Sequence, residues 1–524
     1  MTHDLIVLVQ ALFFIYASFL AGDAALRVAR IRFMHGISRS AYAIALGYVI
    51  FGIVGLVLGL AGFFNAFYFR FFILLIFALS REAVFSHVRF LLRQEYSLAG
   101  LRDFVHRWYG EQTFLKVLFT LWILINLSLV FVPITGRDTL TFHLPVMTDI
   151  VQQGRLTFSP QIDTFYEWSP LLGEVLYAST IAAFGNHADP FVFQVVQFST
   201  MVLLLALAYD FFRRQYERTI FLSFLPILSL SIFEVQREVM HGGYVDTPLL
   251  LFGIAALFLV LELWDAAIPW DTMRVYLASV FMAAGLGVKY NAFYFLAIIG
   301  LFVLGALRYR KKSIREAARI IACSLLIVLA LAGFWYGKNL IVFGNPIYPM
   351  LGIDGSAVIG DTIAYERTPT NLLLFPYLHF GSVSERDSST KLIVFWHFAA
   401  IFGLLGFLFL FVRKRLGALP VLLFLFIELY LGMVFFTSHH TRYFIAPLFL
   451  LPPLLLLLAD DFYGYMKALL PLRAWDALWG VSRGLVYAAA VVLFVGSIHY
   501  FYVKMLYKTG FLDREQYIVE IGGQ

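Results

Sequence analysis

Residues 247–266 read TPLLLFGIAALFLVLELWDA. From Pro248 to Leu261 the run is wholly apolar, with Gly253 inside it, and lacks the alternation of a half-buried strand. An α-helix needs about 20 predominantly apolar residues to cross the hydrocarbon core, and this stretch is predominantly apolar over that length. Similar runs lie at 4–22, 42–63, 64–80, 114–134, 190–210, 219–236, 274–288, 291–308, 317–336, 393–412, 419–436, 444–459 and 484–503. Length and hydropathy together predict about fourteen spans. A β-barrel is excluded, because its strands would alternate.

Composition agrees. Of 524 residues 61% are hydrophobic and 14% charged, against about 45–50% and 25% in soluble domains. That excludes a soluble enzyme, a disordered tail and a nucleic-acid-binding module. The expected fold class is an all-α polytopic membrane protein. Phe dominates the aromatics with 56 residues, as lipid-facing and interhelical surfaces require. The net charge of +6 reads as cytoplasmic-loop Arg and Lys. The sole cysteine, Cys323, sits inside an apolar run, so no intrachain disulfide can form. Asp4 precedes the first apolar run where a signal peptide would be basic, so residues 4–22 are read as a retained helix.

Basic residues collect at Arg27, Arg30, Arg32 and Arg39; at Arg81, Arg89, Arg93, Arg102 and Arg107; and at Arg213, Arg214 and Arg218. They recur at Arg308, Arg310, Lys311, Lys312, Arg315 and Arg319; at Arg413, Lys414 and Arg415; and at Lys467, Arg473 and Arg483. An even number of predicted crossings separates each cluster from the next, so all fit on the cytoplasmic side. The outer side then receives long loops at 135–189 and 337–392, each too long for a simple connection. It also receives turns at 237–246, near Lys289 and at 437–443. Segment 170–184, PLLGEVLYASTIAAF, is short for a span and reads as an interfacial or re-entrant helix.

Ionisable groups beside apolar surface are costly, and several gather on this outer side. Asp138 and His143 lie in GRDTLTFHLP, where a carboxylate could accept a proton from a hydroxyl. Asp163, Glu167, Trp168, Ser169, Pro170, Gly173 and Glu174 form an acidic approach to a Pro-led helix, equally readable as a solvated loop. EVQREVMHGGYVDTP brings Glu234, Arg237, Glu238, His241 and Asp246, the last expected to cap the following helix. Its acids and histidine could ligate a divalent cation, although the spacing specifies no metal. Lys289 in GLGVKYN could neutralise a phosphate or simply snorkel. WYGKNLIVFGNPIYPM contributes Lys338, Asn339, Asn345 and Tyr348, and SHHTRYF contributes His439, His440, Arg442 and Tyr443. Arg442 suits bidentate phosphate binding. No Gly-rich nucleotide loop is present in the sequence, so no nucleotide cofactor is expected.

From about residue 114 onward the ordered set GRDTLTFHLP, SPLLGEVLYA, YVDTPLLLF, GLGVKYNAF, GNPIYP and RYFIAPLFLLPPLLLL resembles the membrane-embedded C-type glycosyltransferases, the GT-C fold. That superfamily includes protein O-mannosyltransferases and lipid A aminoarabinose transferases. The resemblance implies a GT-C-like bundle with two structured extracytoplasmic loops, in a cell inner (plasma) membrane. It implies a polyprenyl-phosphate-linked sugar donor, a lipid, glycan or protein acceptor, and transfer with inversion on the periplasmic face. It places the general base at Asp138; of the outer polar residues, His143, Glu167, His241, Asp246, Lys289, Tyr348, Arg442 and Tyr443 are the expected substrate contacts. Many members carry a second acid beside the base; here that neighbour is Thr139. The expected organisation is an extension of three helices over 1–113, a catalytic core over 114–336 with its outer loop at 135–189, a second outer loop at 337–392, and C-terminal helices over 393–524. The rival readings are a transporter or flippase of a lipid-linked sugar, a polysaccharide polymerase or ligase, and a non-catalytic assembly subunit.

Overall fold

The structure is a computed structural model. It describes residues 2–31, 33, 36–93, 113–132, 134, 138–158, 168–184, 191–215, 243–349, 368–372, 404–413, 416–437, 441–467 and 506. Among them the protein is helical, with seven helices long and apolar enough to cross a membrane, or eight if one bent pair is a single span. It is therefore an α-helical polytopic membrane protein. The predicted spans at 219–236 and 484–503 lie outside the described residues.

The first helices are α1 (Thr2–Val28), α2 (Gly36–Ala61), α3 (Ala66–Leu79), α4 (Arg81–Arg93) and α5 (Thr113–Leu129). A five-residue π-turn, Thr139–His143, leads into α6 (Leu144–Gln153). Then come α7 (Leu172–Phe184), α8 (Phe191–Gln215), α9 (Asp246–Leu261), α10 (Thr272–Val288) and α11 (Ala292–Tyr309). Next is α12 (Ile314–Phe343), followed by a helical stretch at 404–412. The last are α13 (Ala418–Thr437) and, after a 3-10 turn at Thr441–Phe444, α14 (Ile445–Lys467).

Local chemistry sets several boundaries. Asn65 caps α3 by accepting from the Phe67 and Tyr68 N–H groups, and Asp271 caps α10 through Met273 N–H. Ser313 accepts from Glu316 N–H at the start of α12, and Gly344 ends that helix at φ +65°. Thus α12 runs further than the predicted span at 317–336. It carries Lys338 and Asn339 as helical residues, because a strong cap lies upstream and no breaker intervenes before Gly344. Likewise Arg81–Arg89, expected as loop, is helix, bent by 71° from α3.

Helix α9 is buried all round, from Asp246 to Leu261, as a uniformly apolar helix at the centre of a bundle should be. Helices α8, α10 and α11 pack directly on it. Helix α7 is also buried along nearly its whole length, against α2, α3, α6, α8 and α10. A helix lying on the bilayer surface would expose one face, so the interfacial expectation for 170–184 is corrected. Helices α1 and α2 approach until a Cβ at Gly22 would sit 1.8 Å from Ala43 O, and one at Gly47 1.9 Å from Ser18 O. Small residues at such crossings let backbones meet. Phe14, Tyr42 and Phe51 from this pair share one hydrophobic core with Tyr177, Phe211, Phe258 and Phe281.

The antiparallel order gives the bundle two polar ends. The basic end gathers Ser38, Asp210, Arg214, Glu262 and Arg274. At the opposite end the start of α9 meets the end of α10, and the start of α11 meets the end of α13.

Candidate functional site

The site at this second end is built on a loop that enters the bundle. Gly243, Tyr244 and Val245 precede α9 and are buried. Non-helical backbone in apolar surroundings must find hydrogen-bond partners. Gln197 of α8 supplies them, since its Oε1 accepts from Gly243 N–H at 3.2 Å and its Nε2 donates to Tyr244 O at 3.0 Å. Tyr177 of α7 donates to the same carbonyl at 3.4 Å. Gly243 has φ +75°, and a Cβ there would stand 2.5 Å from Thr139 Cγ2. Only glycine fits both constraints. This contact seats the π-turn that starts at Asp138 against the loop that leads to Asp246.

Asp246 is 5% exposed, and its Oδ1 accepts from Lys289 Nζ at 2.8 Å. Asp246 stands at the positive end of α9 and Lys289 follows the negative end of α10, so both helix dipoles favour these charges. The Lys289 ammonium also lies 5.3 Å from the Tyr443 ring centroid, a cation–π distance. Next to it Tyr294 bonds Thr437 through their hydroxyls and meets the Tyr430 ring edge-on at 5.3 Å. A carboxylate, an ammonium and several tyrosines therefore share one corner.

A second polar group adjoins through Tyr290, the neighbour of Lys289. Asn339 Nδ2 donates to Tyr348 O at 2.8 Å, to Trp168 O at 2.9 Å and to Tyr290 Oη at 3.1 Å. The Tyr290 hydroxyl donates to Tyr348 O. Burial pushes the Tyr290 phenol up, opposed in part by its bond from Asn339, so it stays protonated and able to donate. Lys338 Nζ bonds Trp168 O at 3.3 Å and lies over the rings of Phe158, Trp168 and Trp335. These contacts fasten the chain just before α7 to the end of α12.

The third group is inside the first predicted outer loop. His143 Nδ1 and Glu174 Oε1 are 2.7 Å apart, and both residues are buried. The His143 ring meets the Tyr244 ring edge-on at 5.7 Å. Asp138 itself is half-buried at the head of the π-turn.

The structure thus brings Asp246, Lys289 and Tyr443 together, sets the Asp138–His143 turn against the same loop, and joins Tyr348 through Tyr290 and Asn339. Glu167 and His241 lie outside the described residues, as do Asp163, Glu234, Arg237, Glu238, His439 and His440 and the side chain of Arg442. Two expectations change. Val245 rather than Asp246 occupies the cap of α9, and Asp246 is its first helical residue with Oδ1 turned to Lys289. Lys289 is correspondingly not a solitary cation, and any phosphate there would share its ammonium with Asp246. Among the described residues no group of three or more His, Cys, Asp or Glu is placed to hold a metal ion. Gln197 and Tyr290 escaped the sequence reading. A glutamine within the apolar run 190–210 facing a Gly-Gly break was the available signal for the first.

A family model described as a domain of unknown function, DUF8201, matches residues 180–359. The match contains Gln197, Gly243, Asp246, Lys289, Asn339 and Tyr348. No curated protein matches the sequence.

Proposed function

We propose that the protein is an integral-membrane glycosyltransferase that moves a sugar from a polyprenyl-phosphate donor to an acceptor hydroxyl on the extracytoplasmic face. The observation that carries this reading is the pair of buried Asp246 with half-buried Lys289, faced by Tyr443, at the end of the bundle to which the Asp138 turn is tied. The charge distribution along the sequence supports assigning that end to the periplasmic side. Tyrosine faces suit a sugar ring, and an ammonium suits a phosphate.

In the proposed step Asp138 takes the proton as the acceptor O–H bond breaks. The acceptor oxygen bonds C1 while the C1–O bond to the phosphate breaks, and the electron pair leaves with the lipid phosphate. Attack opposite the leaving group inverts C1. Lys289 stabilises charge growing on the phosphate, released in part from Asp246 as it does so. The lipid chain enters sideways between helices, which is why such an enzyme would be polytopic.

The test uses the purified full chain in nanodiscs with a panel of short-chain polyprenyl-phosphate hexoses and pentoses. Wild type transfers at least one sugar. Asp138→Asn loses activity by a factor of about 100 or more with donor binding retained, and full activity in this variant refutes the base assignment. The rival is a carrier of lipid-linked sugar, favoured by the same Lys–Asp pair, a common device for ion coupling. Movement of donor across proteoliposomes without cleavage of its sugar–phosphate bond would select the carrier.

A further inference from the structure

The geometry points to His143 and Glu174 as an orienting pair that serves Asp138, and this rests on the glycosyl-transfer reading above. Three observations carry it. Glu174 is 1% exposed, and its Oε1 lies 2.7 Å from His143 Nδ1. Its other oxygen, Oε2, has no hydrogen-bond partner among the described residues. A buried carboxyl with one oxygen left over is expensive to keep. A merely space-filling role at this position in α7 would be met by Gln or Leu at lower cost.

The chemistry follows from the bond. A carboxylate acceptor at Nδ1 requires that nitrogen to carry the proton, which leaves the lone pair of a neutral imidazole on Nε2. The same logic orients histidine in hydrolytic triads, where the acid fixes the tautomer and does not itself take the proton. The setting is also unusual. His143 ends a π-turn that begins after Asp138, and π-turns mark functional positions more often than ordinary helix does. Asp138 stands immediately before this turn and His143 ends it. The Leu144 N–H to Thr139 O bond is one of its i→i+5 bonds. Tyr244 backs the imidazole, and Gly243 and Gln197 hold Tyr244, so the ring is fixed from the loop side as well.

His143 is therefore a positioning residue with a proton-accepting nitrogen. During transfer the proton leaves the acceptor hydroxyl for the Asp138 carboxylate. From there it passes to His143 Nε2, giving an imidazolium paired with Glu174, and is returned to water after the lipid phosphate departs. No further reactant is needed.

The experiment has two arms on the full chain in nanodiscs. The first reads the tautomer by NMR with isotope-labelled histidine, with His143→Asn used to assign the signal. Wild type shows a protonated Nδ1 and a bare Nε2 at His143, and Glu174→Gln mixes the tautomers because an amide can donate as well as accept. A protonated Nε2 in wild type overturns the pair. The second arm measures transfer from the short-chain donor panel. Asparagine at 143 restores the bond to Glu174 through its amide N–H but supplies no Nε2 lone pair. His143→Asn is therefore expected to fold and melt like wild type, keep the donor KM within about threefold, and lose kcat by about a hundredfold. Wild-type kcat in His143→Asn shows that only packing is needed and overturns the relay while leaving glycosyl transfer standing. A wild type inactive with every donor sinks the glycosyl-transfer reading and the role of His143 with it.

Discussion

The two ends of the bundle both bury charge, but they close it differently. At the basic end Glu262 takes Arg214 on one oxygen, at 2.6 Å, and Arg274 on the other, while Arg214 also reaches Asp210 at 3.2 Å. Ser38 from α2 donates to Asp210, so α2, α8, α10 and the end of α9 are pinned in one network. Arg310 adds bonds to the carbonyls of Leu263 and Ile268, both at 2.8 Å. Acids and arginines here pair with each other, although Glu262 Oε1, like Glu174 Oε2 at the other end, makes no hydrogen bond among the described residues. At the opposite end the described charges form separate contacts, Asp246 with Lys289 and Glu174 with His143, while Lys338 bonds the Trp168 carbonyl. The first network ties four helices together, whereas the second set joins them in pairs, α9 to α10 and the π-turn to α7.

This comparison can be broken by mutation, and the largest effect is expected at the basic end. Glu262→Ala leaves two arginines facing each other in a buried place, at a cost of about 3–5 kcal/mol. Detergent thermal unfolding should show a strongly lowered Tm or loss of folded protein, and a small shift would mean that the network is not a lock. Gly243→Ala comes next. Its methyl collides with Thr139 and its φ is unfavourable, so about 1–3 kcal/mol is expected. Here transfer should suffer more than stability, because the collision pushes the Asp138 turn away. Lys289→Ala sharpens the contrast within the opposite end: it should raise donor KM several-fold and leave acceptor KM nearly unchanged. The reverse pattern would discard the phosphate role. The smallest effect is expected where Arg39, 45% exposed, bonds Asp23 at 2.8 Å, because Arg27 also reaches that carboxylate at 3.2 Å. Arg39→Ala should change stability by at most about 1 kcal/mol.

Much of the fold was legible. Helices α9, α10, α11 and α13 fall within a few residues of their predicted spans, because long apolar runs have one solution in a bilayer. The reading failed where a polar residue was taken as a boundary. Lys338 and Asn339 looked like the start of a loop, yet the cage of Phe158, Trp168 and Trp335 and the Trp168 carbonyl make them helix residues. At α7 the reading left a surface-lying and a re-entrant helix open, because the short apolar run suits both, and burial speaks against the first. Among the candidate site residues, Asp138, His143, Asp246, Lys289, Tyr348 and Tyr443 stood out in the sequence as costly or turn-forming residues near span ends. Their partners did not. Nothing local in GLGVKYN says that Lys289 meets Asp246, or in SPLLGEVLYA that Glu174 meets His143.

The sequence by itself determined that this chain is helical and apolar enough to span a membrane several times. Those properties depend on hydrophobic length and on charge counts, which are sums along the chain. Tertiary structure alone decided which charges pair and which keep an oxygen to spare. Pairing is set by the antiparallel packing of helices distant in sequence, such as α7 against α6 and the start of α9 against the end of α10. A distance of 2.8 Å between residues 246 and 289 is a property of that packing, not of either segment.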